Sequence, residues 1–186
     1  MPKILILLFH PDFANSRANQ ALIEAARHLP DTEIADLHAL YPDGQIDADT
    51  EVARLVAADR IVLQFPIQWY STPPLLKAWQ DVVLTRMFYL DYETEGARLA
   101  GRPLLVAATA GNVETAYAPD GVNLFPLKEL LRPLQATAHR CGLAWVEPFL
   151  VYDVRRADDE ALKAAGDYYA SRLRRLAAPE PTTAAA

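Results

Sequence analysis

The feature that most constrains this chain is a regular alternation of short apolar runs with amphipathic stretches. The first run, 4–9, is apolar throughout and ends at His10-Pro11, as expected of a strand that is buried on both faces. The next stretch, 15–28, places Leu22, Ile23 and Ala26 on one side of a helix. The predicted strands are 4–9, 33–37, 60–65, 103–109 and 143–152, and the predicted helices are 15–28, 49–58, 73–83, 125–140 and 158–176.

This order of elements predicts an α/β fold, a five-stranded parallel sheet with helices on both faces. The flavodoxin-like strand order 2-1-3-4-5 is expected, and such sheets bind ligands beyond the carboxyl ends of the strands, at the switch between strands 1 and 3. The loops that matter are therefore 10–16, 66–72 and 110–124. We expect residues 1–177 to form a single domain and 178–186, rich in small residues and proline, to be a disordered tail.

Glycine is scarce, and its spacing excludes the usual glycine-rich nucleotide loops. The 7 glycines never stand closer than five positions apart, so the dinucleotide fingerprint G-x-G-x-x-G is absent. Gly96 and Gly101 have the spacing of a phosphate-binding P-loop, but Arg102-Pro103 follows them instead of Lys-Ser/Thr. A phosphate bound by this chain would therefore need other donors.

Charge and cysteine content narrow the class of protein further. The formal net charge is −6 and the basic residues form no stripe, which argues against binding to nucleic acid. The single Cys141 cannot form an internal disulfide, and the apolar run 4–9 is too short for a membrane span or a secretory signal. The 4 histidines are dispersed, so no metal site is expected. We therefore expect a cytoplasmic protein.

The loop after the first strand carries groups suited to a phosphate. His10, Ser16, Arg17 and Asn19 surround the start of a helix, where free backbone N–H groups and the helix dipole favour an anion. The alternative is that Asn15 or Ser16 only caps the helix and His10 only ends the strand.

The loop after the third strand places two aromatic residues, Trp69 and Tyr70, between prolines at the expected ligand edge. Such rings can flank a flat isoalloxazine, while the N–H groups of residues 67–70 hydrogen-bond its polar edge. The alternative is a structural loop anchored by Trp69 in the core.

The loop after the fourth strand begins with Thr109 and Gly111, and the glycine permits close backbone approach. Tyr117 follows, and its hydroxyl can donate to a flavin oxygen as negative charge develops there. The alternative for Tyr117 is an aromatic residue on a surface loop.

Together these residues resemble the NAD(P)H dehydrogenase (quinone) family of flavodoxin-like flavoproteins, over most of residues 1–152. Within that family the chain is most similar to the quinone reductases that are ancillary subunits of glutathione-regulated potassium-efflux systems. The family resemblance is carried by His10-Pro…Ser16…Asn19, Phe65-Pro-Ile-Gln-Trp-Tyr70…Pro74…Leu76-Lys77…Trp79, Thr109…Gly111 and Cys141-Gly142, and the closer one by Leu40-Tyr-Pro-Asp43, 69–77 and 133–138.

The resemblance implies a flavin-dependent NAD(P)H:quinone oxidoreductase. In such an enzyme NAD(P)H passes a hydride to flavin N5 and leaves, and a quinone then takes both electrons in a two-electron ping-pong exchange. The chain ends early compared with the larger FAD members, which favours FMN over the alternative FAD. A homodimer is implied, and the alternative function is a flavin-binding ancillary subunit of a potassium-efflux transporter, peripheral at the inner face of the membrane.

The resemblance also implies the site residues. Tyr117 corresponds to the family tyrosine that steadies charge at the flavin O2, and Asn123 stands where larger members place a histidine, so a histidine-assisted proton relay is not expected. The usual Thr-Thr-Gly-Gly reads Thr109-Ala-Gly-Asn112 here. The implied catalytic residues are Tyr117 and Asn123, and the implied cofactor-binding residues are His10, Ser16, Arg17, Ala18, Asn19, Pro66, Ile67, Gln68, Trp69, Tyr70, Thr109, Ala110, Gly111 and Asn112.

Overall fold

A parallel sheet forms the centre of the protein in a computed structural model that describes residues 2–178. The strands are β1 (Ile4–Leu8), β2 (Thr32–Asp36), β3 (Arg60–Pro66), β4 (Pro103–Thr109), β5 (Ala144–Trp145) and β6 (Phe149–Val151). The helices are α1 (Arg17–Arg27), α2 (Leu37–Leu40), α3 (Ala48–Ala57), α4 (Pro74–Trp79), α5 (Leu127–Leu130), α6 (Arg132–Arg140) and α7 (Asp159–Ala177). Short 3-10 turns occupy Phe13–Asn15, Gly96–Leu99 and Glu114–Tyr117.

The strand order confirms the predicted flavodoxin-like fold. The sheet runs β2-β1-β3-β4-β5, and β6 also pairs with β4, all in parallel. β1 lies between β2 and β3, so the order reverses beside it. The carboxyl ends of β1, β3 and β4 therefore meet at one edge of the sheet, where ligands bind in folds of this kind.

The strand β1 is buried on both faces because successive side chains of a strand point to opposite sides. Leu5 and Leu7 face a layer that contains residues of α3, α4 and α6, whereas Ile4 and Ile6 face a layer that contains residues of α1 and α7. The continuous apolar run is thus explained by helices on both faces of the sheet, as predicted.

The predicted fifth strand is divided in two. β5 pairs with the start of β4, where Ala144 lies opposite Pro103, and β6 pairs with its end, where Phe149 lies opposite Ala107. The break lies at 146–148, and Pro148 contributes to it because proline has no N–H to donate to a strand ladder. The result is that the chain leaves β6 beside the end of β4.

Two predicted helices also differ from the observed ones. The stretch 125–140 forms α5 and α6, since Pro133 fits the first turn of a new helix but not a helix interior. The helix predicted over 73–83 is α-helical only to Trp79 and then continues in wide π-helical turns through Leu90. Gly142 follows α6 with a φ of 66°, the left-handed conformation that commonly ends a helix at glycine.

The predicted tail lies outside the described residues except for Ala178, which is the C-cap that follows α7. Within residues 2–178 no helix is both long enough and apolar enough to cross a membrane.

Candidate functional site

A cleft of about 870 Å³ opens at the carboxyl edge of the sheet. Most of its lining comes from the loops after β3 and β4, and the rest follows β6. The lining residues are Ile67, Gln68, Trp69, Tyr70, Gly111, Asn112, Tyr117, Asn123, Arg155 and Arg156. The structure therefore brings together residues that the sequence analysis had placed on two separate loops.

Trp69 and Tyr70 form the two central positions of a tight turn. Their φ angles are 45° and 65°, which lie in the left-handed region that bulky residues rarely adopt. Gln68 and Ser71 close the turn by exchanging two backbone hydrogen bonds of 3.0 Å. Trp69 is 93% exposed, so it does not anchor the loop in the core, which was the alternative considered. Strain at an exposed aromatic turn is typical of a ligand contact.

The backbone N–H groups of this loop are not equivalent. The N–H of Ile67 donates to the Thr109 carbonyl at 2.8 Å, and that of Gln68 donates to Ser71. Within residues 2–178, the backbone N–H groups of Trp69 and Tyr70 donate no hydrogen bond. The structure thus narrows the four donors expected at 67–70 to these two.

Tyr117 closes the other side of the cleft from a buried position. Its ring packs at a tilt against Tyr152, with the centroids 5.8 Å apart. Burial and the neighbouring Tyr70 raise the pKa of Tyr117, although Arg155 acts in the opposite direction. The hydroxyl therefore keeps its proton at neutral pH. Asn123 lies beside it and accepts a 3.3 Å hydrogen bond from the hydroxyl of Tyr70.

The start of α1 offers a second set of donors. Ser16 is the N-cap, and its Oγ accepts from both the backbone N–H and the side-chain amide of Asn19, at 3.4 and 3.1 Å. A hydroxyl has one proton and two lone pairs, so the Ser16 proton remains available to a ligand. Within the described chain, the first-turn N–H groups of Arg17 and Ala18 have no acceptor either.

His10 lies in the same loop with a defined tautomer. Its Nδ1 accepts the N–H of Asp12 at 3.1 Å, which leaves the proton on Nε2. Burial lowers the pKa of His10, and His38 adds to this effect while Asp12 and Asp36 oppose it. His10 is therefore neutral at pH 7, and its Nε2–H is the donor that it can offer to a ligand.

The Arg17 side chain has another partner. Its guanidinium donates to Asp159 at 2.6 Å and to the Ala157 carbonyl at 3.0 Å, which ties α1 to the start of α7. In this arrangement Arg17 offers its backbone N–H, and not its charge, to a ligand at the helix start.

Asn19 is only 1% exposed and lies inside a buried polar network. Its side-chain amide donates to Thr109 Oγ1 at 3.1 Å, and its Oδ1 accepts from Gln64 at 3.1 Å. The Gln64 Oε1 in turn accepts from Tyr169 at 3.1 Å. Asn19 thus holds the Ser16 hydroxyl in place from the buried side of the loop. Sequence reasoning missed Gln64 and Tyr169, although a glutamine within the apolar run 61–65 was an available signal.

Arg155 and Arg156 lie outside the three loops, 10–16, 66–72 and 110–124, in which the sequence predicts the site. Both follow β6, which reaches the cleft because the predicted fifth strand is divided. Arg155 lies against the β4 loop, since a Cβ built on Gly111 would be 2.8 Å from Arg155 Nε. Among the described residues, no group of histidine, cysteine or carboxylate side chains is arranged to hold a metal ion.

Comparison with known proteins agrees with this architecture. A family model described as the flavodoxin-like fold matches residues 2–173. The chain belongs to the flavodoxin-like fold family. A solved flavodoxin-like relative, general stress protein 14 from Treponema denticola in complex with FMN, superposes with a TM-score of 0.86 at 33% identity, covering 94% of this chain and 99% of that one.

Two further relatives of this flavodoxin-like protein are similar along most of their length. It is 42% identical over 170 residues to the glutathione-regulated potassium-efflux system ancillary protein KefF of Klebsiella pneumoniae (strain 342), covering 91% of this chain and 94% of that protein. It is 37% identical over 171 residues to the uncharacterized NAD(P)H oxidoreductase YdeQ of Bacillus subtilis (strain 168), covering 92% of this chain and 86% of that protein.

Proposed function

We propose that this protein is an FMN-dependent NAD(P)H:quinone oxidoreductase, formed by a single domain over residues 1–177. The observation that carries the proposal is the pairing of an exposed aromatic turn, which has free N–H groups, with the phosphate donors at the start of α1. The relative named an NAD(P)H oxidoreductase and the relative solved with FMN support the same reading.

The donor set fits a flavin mononucleotide. The cleft of about 870 Å³ lies within the usual size of small-molecule sites. The Ser16 hydroxyl, the N–H groups of Arg17 and Ala18, and His10 Nε2 would hold the phosphate. The N–H groups of Trp69 and Tyr70, with the backbone at Gly111, would hold the ring. Asn19 and Thr109 would support these contacts from the buried side.

When bound, FMN supplies two-electron redox chemistry between NAD(P)H and a quinone at the flavin N5, by ping-pong exchange. Tyr117 presents a protonated hydroxyl to the cleft, because burial raises its pKa. A neutral donor fixed at this place stabilises negative charge that develops beside it. Asn123 restrains the Tyr70 hydroxyl, and the loop 67–71 is held to β4 through Ile67.

The decisive experiment combines cofactor identification with turnover. We expect the purified protein to be yellow, and heat-released flavin to migrate as FMN on chromatography; FAD there would correct the cofactor. The oxidation of NAD(P)H should depend on added benzoquinone, with one reductant consumed per quinone. A bound flavin that dithionite reduces but neither NADH nor NADPH reduces would contradict the proposed activity.

A second candidate function rests on the relative named as an ancillary protein of a potassium-efflux system. In this reading the protein is a homodimer that binds flavin and docks on the cytoplasmic side of a membrane transporter. The side chains of Tyr89 and Leu90 are 69% and 74% exposed on the π-helical segment and offer an apolar contact surface. Tyr89→Ser and Leu90→Ser should weaken the pull-down of the protein by the transporter's cytoplasmic domain if these side chains contact the transporter. Light scattering of the wild type and of the same variants measures the molecular mass and so tests the homodimer.

A further inference from the structure

The cleft carries a charge opposite to that of the protein as a whole. The chain has a formal net charge of −6, yet the residues that line the cleft include two arginines and, among those described, no carboxylate. A positively charged lining in an acidic protein raises the local concentration of anions. The cleft is therefore suited to a negatively charged ligand.

Of the two arginines that line the cleft, only Arg155 has no acidic partner among the described residues. The guanidinium of Arg156 donates to Asp153 at 2.8 Å, so its charge is largely balanced. Within residues 2–178, Arg155 has neither a carboxylate nor a carbonyl acceptor. Its five N–H donors are therefore available to a ligand in the cleft.

The segment that carries the two arginines is fixed against the β4 loop. The N–H of Asp153 donates to the Asn112 carbonyl at 2.8 Å, and that of Val154 donates to the Ala110 carbonyl at 3.2 Å. The N–H of Arg156 donates back to the Asp153 carbonyl at 3.1 Å, which closes the turn. Arg155 thus projects from a turn that its own backbone holds in place, so less conformational freedom is lost when it binds an anion.

The arginines are separate from the groups assigned to the FMN phosphate. His10 and Ser16 do not contribute to the cleft lining, whereas Arg155 lies against Gly111 and is close enough to Tyr117 to oppose part of the rise in its pKa. Of the two substrates of the proposed reaction, a quinone is uncharged and NAD(P)H is anionic. Arginine forks match phosphate oxygens in two-point hydrogen bonds.

We propose that Arg155, assisted by Arg156, is a phosphate-binding subsite for the nicotinamide dinucleotide and sets the affinity for this co-substrate. This inference rests on the proposed function. The phosphate bound is either the pyrophosphate, common to NADH and NADPH, or the 2′-phosphate, present only in NADPH. Both are recognised by the same chemistry, and steady-state kinetics with the two dinucleotides distinguishes them.

The test uses the FMN-loaded protein and the variants Arg155→Gln and Arg156→Gln. The control is Arg174→Gln, an exposed arginine of α7 outside the cleft. We expect Arg155→Gln to raise KM by about tenfold, the loss of one charge-assisted contact, with kcat within about twofold. A rise in KM for NADPH alone identifies the 2′-phosphate as the group that Arg155 binds, and a rise in KM for both dinucleotides identifies the pyrophosphate. Arg156→Gln should act in the same direction but less, and Arg174→Gln should change neither constant.

A binding measurement completes the test without turnover. Calorimetric titration with 2′,5′-ADP and with ADP should show weaker binding of at least one of them to Arg155→Gln than to the wild type. Unchanged KM values for both dinucleotides, or a loss of bound FMN that accounts for all of the effect, would overturn the subsite. Wild-type protein that oxidises neither dinucleotide would instead contradict the proposed function, so the two failures are distinguishable.

Discussion

The side-chain amide of Asn19 donates to Thr109 Oγ1 at 3.1 Å and so joins the start of α1 to the end of β4 inside the core. The same amide group donates to Ser16 Oγ at 3.1 Å. The loops assigned to the phosphate and to the ring are therefore connected through one buried side chain. A change at Asn19 must affect both loops, although Asn19 itself is shielded from the cleft.

The first prediction concerns this buried connection. Asn19→Ala removes the donor to Thr109 Oγ1 and one of the two acceptors of the Gln64 amide, the other being the backbone carbonyl of residue 19. We therefore expect the free energy of unfolding to fall by about 2 kcal/mol. FMN affinity should fall by about tenfold, because Ser16 loses its support. Urea denaturation measures the first quantity, and quenching of FMN fluorescence in a titration measures the second.

Tyr169→Phe is the matched control, because it removes one hydrogen bond at the opposite end of the network. It should lower the free energy of unfolding by about 1 kcal/mol and leave FMN affinity within about twofold. If the two variants weaken FMN binding in proportion to their loss of stability, Asn19 has no positioning role.

The second prediction concerns the Ser16 hydroxyl. Ser16→Ala removes a helix N-cap, which costs about 1 kcal/mol of stability, and also removes a donor to phosphate. We expect weaker binding of FMN but unchanged binding of riboflavin, which has the ring and lacks the phosphate. Ser16→Thr keeps the hydroxyl and should restore FMN binding. Equal losses of affinity for FMN and riboflavin would show that the start of α1 does not bind the phosphate.

The third prediction uses the strained turn. Trp69→Gly relieves a left-handed conformation, so the free energy of unfolding should rise by about 1 kcal/mol, while the retention of FMN through dialysis decreases. Trp69→Ala keeps a Cβ and should lose FMN without gaining stability. A Trp69→Gly protein that retains its full flavin content would show that the indole does not contribute to flavin binding.

The fourth prediction separates chemistry from binding at Tyr117. Tyr117→Phe keeps the packing against Tyr152 and removes only the hydroxyl, so kcat with benzoquinone should fall by roughly tenfold or more. FMN content should not change. Because its pKa is raised, Tyr117 stays protonated through neutral pH, and the wild-type kcat should show no step from its ionisation there. An unaltered kcat in Tyr117→Phe would exclude a catalytic role.

The fifth prediction concerns the single thiol. Cys141 is 5% exposed, and burial raises its pKa to about 11. The reactive thiolate is therefore scarce at pH 8, and a thiol-specific disulfide reagent should react slowly with the folded protein. In guanidinium chloride the same reagent should titrate 1 thiol per chain at once. Rapid labelling of the folded state would show that α6 opens locally.

Much of the fold was predictable because the apolar pattern reports burial directly. β4 has the bounds expected for it, Pro103–Thr109, and β1 is apolar on both faces because both are covered. The division of the fifth strand was harder to predict. Its apolar residues suit a strand throughout, and only the lack of an N–H at Pro148 marks the break.

The site was predictable only where the loop sequence itself is unusual. Trp69 between prolines indicated a ligand contact, but no pattern specified its left-handed backbone, because glycine and not tryptophan is the usual sign of that conformation. The position of Arg155 depends on where β6 ends, and the contact of Tyr169 with Gln64 joins residues 105 positions apart. Both follow from tertiary structure: the glutamine within an apolar run indicates a buried polar group, but no local pattern identifies its partner.

The hydrogen bond from Tyr169 to Gln64 has a consequence for how the protein is made. α7 is synthesised after every other described element, and it supplies the last partner of the buried network. Until α7 has left the ribosome, Gln64 Oε1 lacks the hydrogen-bond donor that Tyr169 supplies. The buried network that underlies the α1 and β4 loops is therefore completed late, when α7 docks on the sheet.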